Sequence, residues 1–468
     1  MAKQPLTPDM GEDSIVRSGQ LDHGALGLFT DLYELTMIQG YLETGHDPRV
    51  TFSLFFRALP PNRGYVVAAG LAQAIDYLET VSFSDDALAY LADRGFSTTL
   101  CEHLETFEFT GDVCAVPEGT PVFPNEPLLE VTAPISQAQL FETLLVNQVG
   151  FQSLIATKAA RMRDAIEHHG DDQTLVDFGS RRAHGIDAGM KAARAAYVGG
   201  FDGTSNVAAG RAFDIDVFGT MAHSWVQSFP GEREAFAAFV EVYGEDSVLL
   251  VDTYDTVEGA KTARAVAEEA GVGLAGVRLD SGDLVALSQE VADAVDAAEI
   301  FVSSGMDEFG IESFLTEGGI ATGFGPGTAL VTSKDAPSLD AVYKLVAIEK
   351  DGTWEPTMKL SPGKVSYPGR KTVRRVEREG VYERDILGER EERESGDSAL
   401  LVDVFVDGTL VYEQPSLDEI RERARTEIGK LPDGVRRRRD PAAFPVEVSK
   451  RLEETTETLR ADLEARYW

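Results

Sequence analysis

From about residue 174 onward, short apolar runs alternate with amphipathic helical segments, and this rhythm constrains the fold more than any other feature. The runs are TLVDF, DIDVFG, VLLVDTY, LAGVRLD, EIFVSS and GIATGFG. Between several of them lie EREAFAAFVEVY, TVEGAKTARAVAEEA and LVALSQEVADAVDAA, with apolar residues at helical spacing. A helical crossover returns the chain to the same end of a sheet, so such strands pair in parallel. A closed α/β barrel and an open doubly wound sheet both satisfy the pattern. In either, chemistry gathers at the carboxyl ends of the strands. The segments just past the runs are polar or glycine-rich: FGSRR, GTMAHS, DTYDT, LDSGD, SSGMDE and GFGPGT.

The rest of the chain divides around this region. Residues 1–26 are polar and aperiodic and read as a mobile arm. Residues 27–150 read as an N-terminal mixed α/β domain: a helix in TDLYELTMIQGYLETG, a strand in TFSLFFRALP, a helix around GLAQAIDYLETV, then short strands between Phe107 and Thr132. A long helix follows, with Leu140, Leu144, Phe151, Ile155, Ala159, Met162 and Ile166 on one face. Residues 151–345 read as the α/β domain that carries the strand-end chemistry, and 346–468 as a C-terminal module ending in charged helices.

Charge removes several functions. With 43 Lys+Arg against 79 Asp+Glu, the net charge of -36 excludes a general nucleic-acid binder and disfavours anionic membranes. No apolar run is long enough to span a bilayer, and the N-terminus lacks a secretory pattern, so a cytoplasmic location is expected. Cys101 and Cys114 are too few for a disulfide scaffold. Carboxylates are spread along the whole chain, and 12 Lys stand against 31 Arg, a balance resembling halophilic archaeal proteins that need high salt. Residues 150–230 are an exception, with eight Lys/Arg against nine Asp/Glu. That stretch, including Lys158, Arg161, Arg181, Arg182, Lys191, Arg194 and Arg211, is locally tolerant of anions. Helix salt bridging explains some of it, but Arg181–Arg182 is well placed for a carboxylate or phosphate fork.

Four segments carry candidate chemistry. In GFGPGT, close glycines allow backbone N–H groups to approach a phosphate, with the Thr328 hydroxyl beside them. SSGMDE offers a similar turn one strand earlier. In RLDSGD, Asp280 and Asp283 suit Mg²⁺ or sugar hydroxyls, although a helix cap by Asp280 or Ser281 competes. His223 in GTMAHSW is suited to nucleophilic or proton-transfer work, the alternative being a structural histidine.

Taken together, TDLYELTMIQGY, FFRALPPNRGY, VDFGSRRAHG, GGFDGTSNVAAG, GTMAHSW, RLDSGDL and LVTSKDAPSLDAVYKL resemble the nicotinate phosphoribosyltransferases. The resemblance is collinear from about 28 to 371. It implies an irregular α/β barrel with an N-terminal mixed domain and a C-terminal extension. It further implies transfer of phosphoribose from phosphoribosyl pyrophosphate to nicotinate, with ATP and Mg²⁺, in a homodimer with shared active sites. By this resemblance His223 is a phosphohistidine, and Asp280 and Arg278 complete the catalytic set. Tyr33 of a partner subunit and Phe178 would sandwich the pyridine ring. Thr220 and Arg278 would contact nicotinate, with Arg181 and Ser205 close by. Thr328, Gly305, Gly325 and Gly327 would surround the 5′-phosphate, although Pro326 lengthens the family's usual Gly-x-Gly-Thr. Related nicotinamide enzymes carry Asp where this chain has Ser205, so the acid is favoured over the amide. The alternatives are a nicotinamide-using enzyme and a catalytically silent pyridine-nucleotide sensor.

Overall fold

The computed structural model describes residues 23–170, 172–295, 298–360, 366–393 and 399–467. The expected arm therefore lies mostly outside the described residues; His23–Leu28 is one short 3₁₀ turn. The parallel strands that the rhythm implies are β1 (Thr174–Asp177), β2 (Gly203–Thr204), β3 (Val248–Leu250), β4 (Gly276–Leu279), β5 (Glu299–Ser303) and β6 (Gly323–Gly325). They form one sheet in the order β2-β1-β6-β5-β4-β3, and every pairing is parallel. Val277, Leu279, Ile300, Val302 and Phe324 are buried beneath the crossover helices.

One expected strand is absent. DIDVFG makes a single parallel bridge, Val217 to Thr204, instead of a ladder. The Phe218 ring packs where a Gly203 side chain would stand, 2.4 Å from an added Cβ, which keeps this segment against β2 without extending its pairing. No ladder among the described residues joins this edge to β3, so the sheet is parallel as expected but its closure into a barrel is not established.

The N-terminal region builds the first sheet in chain order, antiparallel in every pairing and with its own core, including Phe52, Leu54, Val131, Phe141 and Leu145. Its central strands are Arg49–Phe56, Leu129–Pro134 and Asp112–Ala115. Both flanks come from late in the chain. Ala341–Lys350 pairs with Arg49–Phe56, and Val402–Val406 pairs with Asp112–Ala115. A boundary at 345 thus falls inside a strand, and residues beyond it complete the first sheet.

The long helix runs Glu142–Glu167 after a separate turn at Ile135–Leu140. It buries two cations as well as its apolar face. Lys158 Nζ lies 2.5 Å from Glu308 and 2.7 Å from Asp335, and Arg161 Nε lies 3.0 Å from Glu308. Arg194 pairs with buried Glu118 at 2.7 Å, and Lys191 with Asp187 at 2.5 Å. These four therefore hold structure together, and the anion tolerance read across 150–230 narrows to exposed residues such as Arg181 and Arg182.

Candidate active site

The expected site residues collect at the carboxyl edge of the parallel sheet. Phe178 follows β1, Ser205 follows β2, Arg278 lies within β4 and Asp280 just past it, and Gly305 and Thr328 follow β5 and β6. Arg278 is the centre of the group. Its Nη1 donates to Thr220 Oγ1 at 3.1 Å, and its guanidinium carbon lies 5.9 Å from the centre of the Phe178 ring. Its Nε is buried without a hydrogen-bond partner. Burial pulls the guanidinium below its ordinary value, Asp280 and Asp252 oppose that pull, and nearby Arg181 reinforces it. A half-buried guanidinium with an unused N–H, beside an aromatic face and a hydroxyl, is suited to a planar carboxylate.

The His223 ring sits in a second group beside the first. Its Nδ1 lies 3.2 Å from Thr253 Oγ1, and its Nε2 lies 3.9 Å from Asp252 and 4.0 Å from Asp280. Asp252 is anchored from one side: its Oδ2 accepts the Asp280 N–H at 2.9 Å and Ser281 Oγ at 2.8 Å. Its other oxygen, Oδ1, is buried and without a hydrogen bond. Asp280 in turn accepts from Ser303 Oγ at 2.6 Å. Glu232 lies within the field of Asp252 and Asp255, and burial together with those charges lifts its carboxyl to about 7.

Asp252, Thr253 and Ser303 were not singled out by the sequence reading. Their signal was positional only: each lies at the end of an apolar run, in DTYDT or SSGMDE. The helix cap expected at Asp280 or Ser281 instead belongs to Asp283, whose Oδ1 accepts the Ala286 N–H at 3.3 Å. One Asp283 oxygen is thereby taken by the cap, while Asp252 is tied directly to Asp280 and lies beside His223.

Glycine shapes the phosphate-side turns. Ser304 and Gly305 both have positive φ, 72° and 66°, which exposes the backbone past β5. Pro326, the extra residue of GFGPGT, offers its carbonyl to the Phe178 N–H at 2.9 Å, so the insertion ties this turn to the aromatic residue. Gly327 precedes a four-residue helix that begins at exposed Thr328. Tyr33 stands apart from this group. It is 46% exposed on helix Leu32–Thr44, and its hydroxyl is engaged by Glu142 and Glu34.

A parallel sheet with cationic, acidic and imidazole groups at its carboxyl edge defines an α/β enzyme acting on anionic substrates. Residues 28–150, 173–379 and 397–456 match, in turn, the nicotinate phosphoribosyltransferase N-terminal domain, the nicotinate phosphoribosyltransferase family and its C-terminal domain. Nicotinate phosphoribosyltransferase pncB2 of Mycobacterium tuberculosis is 46% identical over 435 residues, covering 91% of this chain and 92% of the relative. The Bacillus subtilis nicotinate phosphoribosyltransferase is 39% identical over 462 residues, covering 91% and 93%. The crystal structure of human nicotinic acid phosphoribosyltransferase superposes with a TM-score of 0.81 at 30% identity, covering 92% of this chain and 99% of that one. The chain belongs to the nicotinate phosphoribosyltransferase family.

The halophilic, archaeal-like character expected from composition is not borne out by these relatives, which come from Mycobacterium, Bacillus and human. Net charge reports on surface solvation and leaves fold and family open. Among the described residues no helix is long and apolar enough to cross a membrane.

Proposed function

We propose that the strand-end group joins nicotinate to the anomeric carbon of phosphoribosyl pyrophosphate, releasing pyrophosphate and giving nicotinate mononucleotide for NAD salvage. The observation that carries this is Arg278, half-buried beside Phe178 and Thr220 with its Nε unused. That arrangement accepts a pyridine carboxylate in the plane of a guanidinium while the ring lies on an aromatic face. Ser205 supports the acid over the amide, because a carboxylate there would repel the substrate.

Displacement at the anomeric carbon builds positive charge on the ribose. Asp280, fixed by Ser303 and lying beside Arg278, is placed to stabilise it. The glycine turns at 305 and 325–327, with Thr328, would donate to the 5′-phosphate. Tyr33 would close the other face of the pyridine ring from the partner subunit of a homodimer, consistent with its exposure here.

ATP and Mg²⁺ complete this reading. His223 would receive the γ-phosphoryl group of ATP on a ring nitrogen, releasing ADP, and water would later take that group as inorganic phosphate, freeing the imidazole. Thr253 would orient the imidazole for that role, with Asp252 3.9 Å from its other nitrogen. The cation fits Asp252 and Asp280: the first has a buried, unpartnered oxygen, and Mg²⁺ favours a few carboxylates together with phosphate oxygens. Bound there, it would neutralise the departing pyrophosphate.

The intact contacts of His223 with Thr253 and the paired aspartates argue against a silent sensor, which has no use for them. Incubation with nicotinate, phosphoribosyl pyrophosphate, ATP and Mg²⁺ should yield nicotinate mononucleotide and pyrophosphate in equal amounts. No product under those conditions overturns the assignment. Chelation of the cation should abolish turnover, and nicotinamide should be a far poorer acceptor.

A further inference from the structure

Asp177 is fully buried at the carboxyl end of β1, beside Thr204 at the end of β2. Its Oδ1 accepts the Gly179 N–H at 2.7 Å, and its Oδ2 accepts the Thr204 hydroxyl at 2.8 Å. Thr204 Oγ1 in turn accepts the Asn206 N–H at 3.0 Å. The Asp177 carbonyl accepts the Ser205 N–H at 2.8 Å. One side chain thus ties two neighbouring strand ends: Gly179, just past Phe178, and Thr204, just before Ser205. Gly179 leaves no slack in this link, since a Cβ there would lie 2.1 Å from Val331 and 3.0 Å from the Asp177 carboxylate.

The carboxylate has no cation to offset its burial. Burial raises its pKa, and only the hydrogen bonds from Gly179 and Thr204 oppose that shift. An unpaired buried carboxylate costs stability, and an apolar residue would fill the same space more cheaply. What the carboxylate adds is a fixed relation between the two strand ends.

We propose that Asp177 is a positioning residue that sets the spacing of Phe178 and Ser205 and thereby the fit of the pyridine acid between them. It reaches no substrate atom itself and acts through Gly179 and Thr204. The inference rests on the proposed placing of nicotinate at Phe178 and Ser205.

Asp177→Asn keeps the volume but turns one acceptor into a donor facing the Thr204 hydroxyl. Its KM for nicotinate should rise on the order of tenfold, with KM for phosphoribosyl pyrophosphate within about twofold of wild type. Thr204→Val cuts the same link while leaving the Asp177 charge, and should reproduce that split; Thr204→Ser should restore wild-type values. A fall in nicotinate KM for Asp177→Asn would mean that Asp177 acts only through its charge, and would overturn the proposal. Equal changes in both KM values, or a lowered Tm with unchanged kinetics, would reduce Asp177 to a structural residue. If Asp177→Asn fails to fold, the Thr204 pair decides the matter. Wild-type enzyme that turns over no nicotinate would refute the site reading itself, an outcome separate from any variant result.

Discussion

The Phe178 ring occupies the space a side chain on Gly325 would need: a Cβ added there would lie 2.3 Å from Phe178 Cδ2 and 2.6 Å from Cε2. Gly325→Ala should therefore push the ring toward Arg278 and out of the pyridine plane. We expect nicotinate KM to rise by roughly tenfold and stability to fall by about 1–3 kcal/mol. Steady-state kinetics and thermal melting check both; an unchanged nicotinate KM would separate Phe178 from the ring site.

His223→Ala should uncouple ATP from transfer. Slow, ATP-independent formation of nicotinate mononucleotide remains, while the stimulation by ATP falls to about unity because no nitrogen is left to carry the phosphoryl group. Product formation with and without ATP measures this. Equal stimulation in variant and wild type would remove the histidine from the coupling role.

Ser205→Asp places a carboxylate next to the end of β2. The ratio of kcat/KM for nicotinate over nicotinamide should fall by roughly 10- to 100-fold, through repulsion of the acid and a new acceptor for the amide. Competition between the two pyridines reads the ratio directly. A constant ratio would place selectivity elsewhere, with Arg278 the first alternative.

Tyr33→Ala and Arg278→Ala should each be inactive, yet mixing them should recover about a quarter of wild-type activity if each site takes Tyr33 from one subunit and Arg278 from the other. Half of the exchanged dimers are then mixed, and each carries one intact site. Recovery of nothing after demonstrated subunit exchange counts against a shared site.

Glu34 gives a pH signature. It is fully buried, accepts from the Thr30 hydroxyl and from Thr143 Oγ1 at 2.8 Å, and is lifted from 4.5 to about 7. Burial is the main cause, Glu142 and Asp31 add to it, and the two hydroxyls work against it. Between those values the unfolded chain releases this proton and the folded chain keeps it. This group's contribution to stability therefore falls as pH rises through that window and levels off above it. Glu34→Gln should be relatively more stable above neutrality, by about 2 kcal/mol, with a flatter profile between pH 4.5 and 7. Denaturant unfolding at several pH values tests this, and identical slopes would refute it.

Much of the catalytic half was legible because its signals are local. The apolar runs became β1 and β3–β6 at or within a few residues of where periodicity set them, and the site residues lie near the strand ends as parallel topology requires. DIDVFG misled because an apolar run of that length does not distinguish a ladder strand from a segment held by one bridge. Asp252 and Thr253 were passed over because an aspartate after a strand looks the same whether it binds, caps or faces water; its meaning comes from Asp280 and His223 across neighbouring strands. Asp283 looks the same in sequence, and its Oδ1 caps the following helix. The buried pairing of Lys158 and Arg161 was hidden because their partners, Glu308 and Asp335, are far away in sequence. The pairing of 341–356 and 402–410 with the first sheet was invisible, since strand register over such separations leaves no local trace.

That late pairing bears on how the chain is made. Arg49–Phe56 and Asp112–Ala115 leave the ribosome long before their outer neighbours, Ala341–Lys350 and Val402–Val406. Through most of synthesis the first sheet therefore carries two bare edges, the surfaces on which nascent chains pair with the wrong partner. The parallel sheet, whose strands all lie between residues 174 and 325, has its full set of strands much earlier. A stop codon placed after the last site residue would therefore leave the earliest-made sheet unfinished while the parallel sheet had all its strands.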